Sequence, residues 1–222
     1  MTSQSILIFH GIGTPRPELP AEEHPYWIGR DFFDEILALV RARAATRPVL
    51  LTFDDGNASD LHAAERLKSH GLDGKFYLLT GRFGQPHYLS RDDARDLDHA
   101  GFEVGLHGRG HVDWRHAAKA ELDAETIDAR ADLADAVGKP VTSAAIPFGA
   151  YNRRVIDHLR RQSFDRIYTS DAGPARTDGL FRRRTAVMAN HRINDIAALI
   201  DDRAGPAARL RRTIAPFVKR WR

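Results

Sequence analysis

Two adjacent carboxylates, Asp54 and Asp55, close the apolar run Val49 to Phe53 and are followed by Gly56. Adjacent side chains in a regular strand point to opposite faces, so both acids can serve one site only where the chain leaves the strand. Gly56 gives the backbone freedom to do that. Two histidines, His107 and His111, stand four apart just after a second apolar run, in Gly105-Leu106-His107-Gly108-Arg109-Gly110-His111. That spacing brings two imidazoles onto one helical turn and suits joint binding of an ion. The chain has no cysteine, so a disulfide framework and a thiolate site are both excluded, and a metal must be held by His, Asp or Glu. The ordinary alternatives are a turn at Asp-Asp-Gly and, for His62, His70, His99, His116 and His158, surface or satisfied core positions.

The elements that must position these residues read as α/β. Seven short apolar runs alternate with segments of helical period, the pattern of parallel strands with helices packed outside. The runs are Ile6 to Phe9, Val49 to Phe53, Lys75 to Leu79, Glu103 to Leu106, Thr142 to Ile146, Ile167 to Thr169 and Thr185 to Val187. Phe33, Ile36, Leu37 and Val40 form one helical stripe. Ser90 with Asp93 makes a capping box before a helix that Gly101 closes. Ser59 is expected to cap a helix ended by Gly71, and a long helix should run from about Ala117 to Gly138. Gly11 to Tyr26 and Asp171 to Arg182 read as loops. His10, Asp54, Asp55, His107 and Phe148 each follow the C-terminal end of an expected strand, and in parallel β/α folds those ends converge on one face.

Charge excludes some functions. The 222 residues carry 33 Lys and Arg against 30 Asp and Glu, a net +3, far from the excess of a nucleic-acid binder. The start, Met1 to Phe9, has no basic region, and its apolar run is too short for a signal peptide or membrane span, so a cytoplasmic location is expected. Residues 1–205 read as one domain and 206–222 as a basic amphipathic tail, with Arg209, Arg211, Arg212 and Lys219 interleaved with Leu210, Ile214, Phe217 and Trp221. Such a tail suits peripheral contact with an anionic membrane or a helix packed across the barrel with a solvated basic face.

Thr52-Phe53-Asp54-Asp55-Gly56, His107-x-x-x-His111 and Pro147-Phe148-Gly149-Ala150-Tyr151-Asn152 resemble the polysaccharide deacetylases of carbohydrate esterase family four, the NodB-homology domain, over about Ile6 to Val187. The resemblance implies a distorted (β/α)7, TIM-barrel-like fold. It also implies hydrolysis of N-acetyl or O-acetyl groups on a sugar or polysaccharide, in cell-surface polysaccharide metabolism. Asp54 would then be the general base, and Asp55, His107 and His111 the ligands of a divalent metal, commonly zinc. Pro147, Phe148, Tyr151 and Trp114 are expected to line the sugar groove, since sugar faces stack on aromatic rings. A backbone N–H of the Pro147 to Tyr151 segment is expected to face the oxyanion.

Three departures from the family pattern matter. Gly108 stands where a Ser or Thr usually steadies the histidine loop. Ala145 stands where an Arg usually contacts the base, and Arg184 is the candidate substitute. The usual C-terminal catalytic His lacks a leading strand: His191 follows no apolar run, whereas Ser5-Ile6-Leu7-Ile8-Phe9-His10 does end in His. That arrangement resembles the exopolysaccharide branch of the family, so His10 is the preferred acid, with His191 the alternative. The departures also leave open a metal-binding relative without turnover, or an amidohydrolase acting on a non-sugar C–N bond.

Overall fold

Along each strand, side chains alternate between an outer layer under the helices and an enclosed interior, and this double burial curls the sheet into a ring. The computed structural model describes residues 3–203 together with Gly205 and Lys219. Its main sheet contains β1 (Ser3–Phe9), β2 (Val49–Asp55), β3 (Gly74–Leu78), β4 (Glu103–Leu106), β5 (Ser143–Ala145), β6 (Arg166–Thr169), β7 (Phe181–Arg183) and β8 (Thr185–Ala186). These pair in parallel in the order β7-β6-β5-β4-β3-β2-β1-β8. Only Arg184 separates β7 from β8. The first half of that segment lies on β6 and the second on β1, so one bent stretch bridges both ends of the sheet and nearly closes a seven-strand barrel. The last expected strand, Thr185 to Val187, is the second half of this closing segment.

Leu51 and Phe53 belong to the outer core with Leu7, Phe9, Phe76, Val104 and Ile167, whereas Ile6, Tyr77, Ala145 and Tyr168 pack together in a separate inner cluster. Thr52 and Asp54, in alternation with Leu51 and Phe53, therefore face inward. Gly105 lies in register with Tyr77; a Cβ there would sit 2.4 Å from Tyr77 Cε1, so glycine is what admits the tyrosine ring to the interior.

Outside the strands lie α1 (Arg30–Arg43), α2 (Ser59–His70), α3 (Arg91–His99), α4 (Lys119–Asp123), α5 (Ala129–Val137), α6 (Arg153–Arg160) and α7 (Ile193–Ile200). The expected stripe of α1 is fully buried, each such side chain worth roughly 1.5–3 kcal/mol over exposure. The capping box of α3 is formed, Ser90 Oγ accepting from Asp93 N and Asp93 Oδ2 from Ser90 N. Two expectations need correction. Ser59 is the first helical residue of α2, not its cap, and its hydroxyl accepts instead from Ile12 N at 3.2 Å. The helix expected over 117–138 is broken by a π-turn, Ala124–Asp128, between α4 and α5. The two expected loops also carry short strands: Gly11–Ile12 pairs with Trp27–Ile28, and Ala175–Arg176 runs antiparallel to the start of β1.

The tail 206–222 lies outside the described residues, Lys219 excepted. Its Nζ donates to Asp171 Oδ1 at 2.7 Å and to Gly149 O at 3.0 Å. Among the described residues no helix is long and apolar enough to cross a membrane.

Candidate active site

At the C-terminal rim of the barrel, a cavity of about 420 Å³ is lined by His10, Asp54, Asp55, His107, His111 and Phe148, with Glu22, Glu23, Tyr26, Trp27, Ser170 and Ala186 completing its walls. Six strand ends, those of β1, β2, β4, β5, β6 and β8, thus meet at one place, as the topology requires.

Asp54 is 2% exposed and points inward from β2. Arg184, 0% exposed at the closing junction, grips it with two parallel bonds, Nη1 to Oδ1 and Nη2 to Oδ2, both 2.7 Å. Nη1 also donates to Thr52 Oγ1 at 3.1 Å, and the guanidinium lies over the rings of Tyr77 and Tyr168. Such a fork fixes the carboxylate plane as a single point charge would not. Arg184 thus occupies the place the sequence suggested for it, while Ala145 packs small against the same two tyrosines. Burial pushes the Asp54 carboxyl up, but Arg184, His107 and His10 together outweigh it and hold Asp54 below the ordinary carboxylate value.

Asp55 turns the other way. The chain leaves the strand at this residue, one position before the glycine expected to allow it: Asp55 itself has φ 82° and Gly56 φ 68°. His111 and Phe148 also sit in the left-handed region, both at φ 57°. Non-glycine residues there cost on the order of 1–3 kcal/mol each and persist only when the surroundings enforce them. All three line the cavity, where side chains have to be aimed, while His87, Ser163, Ala172 and Asp202 adopt the same region elsewhere.

Asp55 Oδ1 lies 3.4 Å from His107 Nε2 and 3.4 Å from His111 Nε2, and one ligand atom from each of the three residues falls within 4.8 Å of the others. Ligands about 2.0–2.1 Å from a tetrahedral zinc are roughly 3.3 Å apart, so the spacing fits an ion. Two further observations agree. Asp55 Oδ1 is buried with no hydrogen-bond partner, which is costly for a carboxylate oxygen unless something else satisfies it. His107 Nδ1 meets the Ala145 carbonyl at 2.9 Å, which fixes the tautomer that leaves Nε2 free as a ligand. Burial would raise Asp55, but the close approach of His107 and the charges of His111 and His10 hold it far below the usual range. Burial lowers His111 to about 4 against the pull of Asp55. Burial works against protonation of His107, but Asp54 and Asp55 outweigh it and raise the imidazole; a bound cation would replace that proton, since a ligating imidazole is neutral.

Sequence reasoning missed Glu125. It sits in the π-turn, 5% exposed, and its carboxylate accepts from the backbone N–H of Arg109 at 2.9 Å and of Gly110 at 2.8 Å, and from Trp114 Nε1 at 3.4 Å. A Cβ on Gly108, itself at φ 98°, would lie 2.5 Å from Glu125 Oε2. The carboxylate thus fills the room a side chain at 108 would need, and it holds the loop between the two histidines. The π-turn brings it there, as such bulges often do near functional sites; the only signal in the sequence was an acid within an otherwise regular helical stretch.

The aromatic assignments divide. Phe148 is 62% exposed, lines the cavity and packs on His111 with ring centroids 4.2 Å apart. Trp114, 0% exposed, is a core residue beside the Glu125 loop, and Pro147 and Tyr151 are buried outside the cavity walls; the Tyr151 hydroxyl donates to Asp171 at 2.6 Å. The groove roles expected for these three are therefore corrected, because buried rings have no face to offer a sugar. Tyr26 and Trp27, half-buried and from the segment after β1, line the cavity instead. The N–H groups of Gly149 and Ala150 are engaged by the carbonyls of Ile146 and Pro147, which removes them as oxyanion donors.

His10 lines the cavity, leans on Tyr26 at 5.0 Å and keeps a buried Nδ1 without a partner. Burial lowers its pKa against the pull of Asp55 and Asp54. His191 does not line the cavity; its Nδ1 accepts from Met188 N at 3.1 Å within its own turn.

The sequence model of the polysaccharide deacetylase family matches residues 41–167. That span holds Asp54, Asp55, His107 and His111 but neither His10 nor Arg184. No curated protein matches the chain by sequence. Among solved structures, the chain is similar to the Streptococcus pyogenes deacetylase PplD in complex with acetate, with TM-score 0.79 and 21% identity over 90% of this chain and 98% of that one. It is also similar to IcaB from Ammonifex degensii, with TM-score 0.73 and 20% identity over 90% and 96%. A de-N-acetylase from Aggregatibacter actinomycetemcomitans gives 0.72 and 14% over 89% and 100%. At these identities the likeness is one of fold.

Proposed function

The chain belongs to the polysaccharide deacetylase family, and from that premise we propose that it is a metal-dependent hydrolase removing N-acetyl groups from a sugar or polysaccharide. The observation that carries this reading is the meeting, in one cavity, of a metal-ready triad with an arginine-held carboxylate and an unpartnered histidine.

Asp55, His107 and His111 would hold the ion, with zinc suited to the donor set. Once bound, a divalent cation supplies Lewis acidity and lowers the pKa of water toward about 7. Asp54, kept ionised and oriented by Arg184, takes a proton from the attacking water. Its lowered pKa makes it a weak base, matched to a water whose pKa a bound cation would have lowered. As the C–N bond breaks, His10 delivers a proton to the departing nitrogen, and acetate and a free amine result. A burial-lowered imidazolium is the stronger acid for that transfer. Phe148, Tyr26 and Trp27 offer the ring surface that a sugar face packs on.

The departures that suggested a relative without turnover each have a substitute in place: Arg184 for the arginine missing at Ala145, Glu125 for the hydroxyl missing at Gly108, and His10 for the last histidine. These support a working site. Acetate release from N-acetylglucosamine oligomers by zinc-loaded protein tests the reading. Asp54→Asn should lose about 10²–10⁴-fold in kcat while still binding metal; full turnover in that variant would refute the assigned base.

A further inference from the structure

Trp27 is a wall shared by two cavities. Behind the active-site cavity lies a second one of about 310 Å³, lined by Thr14, Arg16, Arg30, Ser59, His62 and His87 beside Trp27 and Ala58, with no carboxylate among its walls. The first cavity is lined by four acids and the second by none.

Arg16 of this wall shares a partner with Arg82, which is not among the residues lining the cavity. Arg16 Nη2 donates to the Tyr88 hydroxyl at 2.5 Å, and Arg82 Nη1 donates to the same oxygen at 2.8 Å. Both guanidiniums lie over the Tyr88 ring, 4.7 and 4.8 Å from its centroid. Two like charges thus share one neutral partner, and among the described residues neither of them, nor Arg30, is in an ion pair. Glu23 feels the field of both Arg82 and Arg16 but bonds to neither. The sequence placed His62 among ordinary surface or core residues, yet its Nε2 is buried with no partner. Asn57 ties this wall to the catalytic one, receiving Arg16 Nη1 at 3.5 Å and donating to the His10 carbonyl at 2.9 Å.

Arg16 and Arg30, with His62 and His87, line a cavity that no carboxylate lines, and an anion held there is attracted by both guanidinium charges. Guanidinium forks match tetrahedral oxyanions in geometry as well as charge. We propose that this second cavity is a subsite for a phosphate group carried by the substrate, so that the acetamido sugar lies in the first cavity and its phosphate or diphosphate crosses Trp27 into the second. The sugar half of this proposal rests on the deacetylase reading above; the anion half does not.

Calorimetric titration of the zinc-loaded protein with inorganic diphosphate separates the two. Saturable one-to-one binding, weakened at least tenfold in Arg30→Ala and in Arg16→Ala, is expected. Arg30 is exposed, so its variant guards against a folding effect at Arg16. Both variants keep the triad, so diphosphate held by the zinc alone would bind them as it binds the wild type. Undiminished binding in both, or no saturable binding at all, would overturn the subsite. In the second stage, acetate release is followed from uridine-diphosphate-linked and prenyl-diphosphate-linked N-acetylglucosamine, whichever is turned over naming the source of the phosphate. Arginine-dependent diphosphate binding with no acetate from any acetylated sugar would sink the deacetylase reading and leave the subsite standing.

Discussion

Asp54 and Asp55 are chain neighbours with opposite surroundings. Asp54 faces the barrel interior, where both oxygens are engaged by a fully buried arginine. Asp55 faces the rim, where Oδ1 is buried without a partner and two histidines point at it. The inner wall is complete within the protein, whereas the rim is complete only with something added. One site is thus built from a satisfied half that orients and an unsatisfied half that binds, and a single left-handed residue divides them.

The sharpest way to break this contrast is at the rim. Asp55→Ala removes the only anionic ligand of the triad, and loss of zinc binding with activity reduced by more than about 10³-fold is expected, several kcal/mol of transition-state stabilisation being lost with the ion. Equilibrium dialysis for zinc, run beside the acetate assay, reads both. The inner wall should respond in stability as well as in rate. Arg184→Ala strands Asp54 as a buried charge and should cost about 3–5 kcal/mol in urea unfolding, and that deficit should persist when zinc is stripped by a chelator. If it disappeared with the metal, the two halves would not be independent. The smallest effect is expected from Glu125→Ala, which leaves every ligand in place but frees the loop between the histidines. Zinc affinity should fall about 10–100-fold, with kcat at saturating metal little changed; a fall in kcat at full occupancy would give Glu125 more than a positioning role.

The same contrast explains what could be read in advance. The paired acids, the paired histidines and the seven apolar runs are local patterns; the acids and the runs lie close to their expected places, whereas the histidines meet through an irregular loop, with His111 at φ 57°, and not on the helical turn their spacing suggested. His10 and Arg184 were legible because a strand ending in His and a buried-side arginine stand out once a partner is missing elsewhere. Glu125 was not, because nothing in a helical stretch announces where a π-turn will aim one carboxylate. Trp114 and Tyr151 were misplaced for a related reason: an aromatic near a motif has the same spelling whether its ring faces a groove or the core.

Periodicity and residue chemistry in the sequence by themselves determined the α/β class, the strand ends and the paired acids and histidines as a candidate site, since strand alternation and residue spacing act over a few residues; the division of the acids into base and ligand is what the family resemblance implies. Tertiary structure alone decided that Phe181 to Ala186 would close the ring, that Arg184 would reach Asp54 across 130 residues and that basic side chains would collect behind Trp27. Contacts of that kind depend on which strands become neighbours when the barrel closes, and that is a property of the whole packed chain.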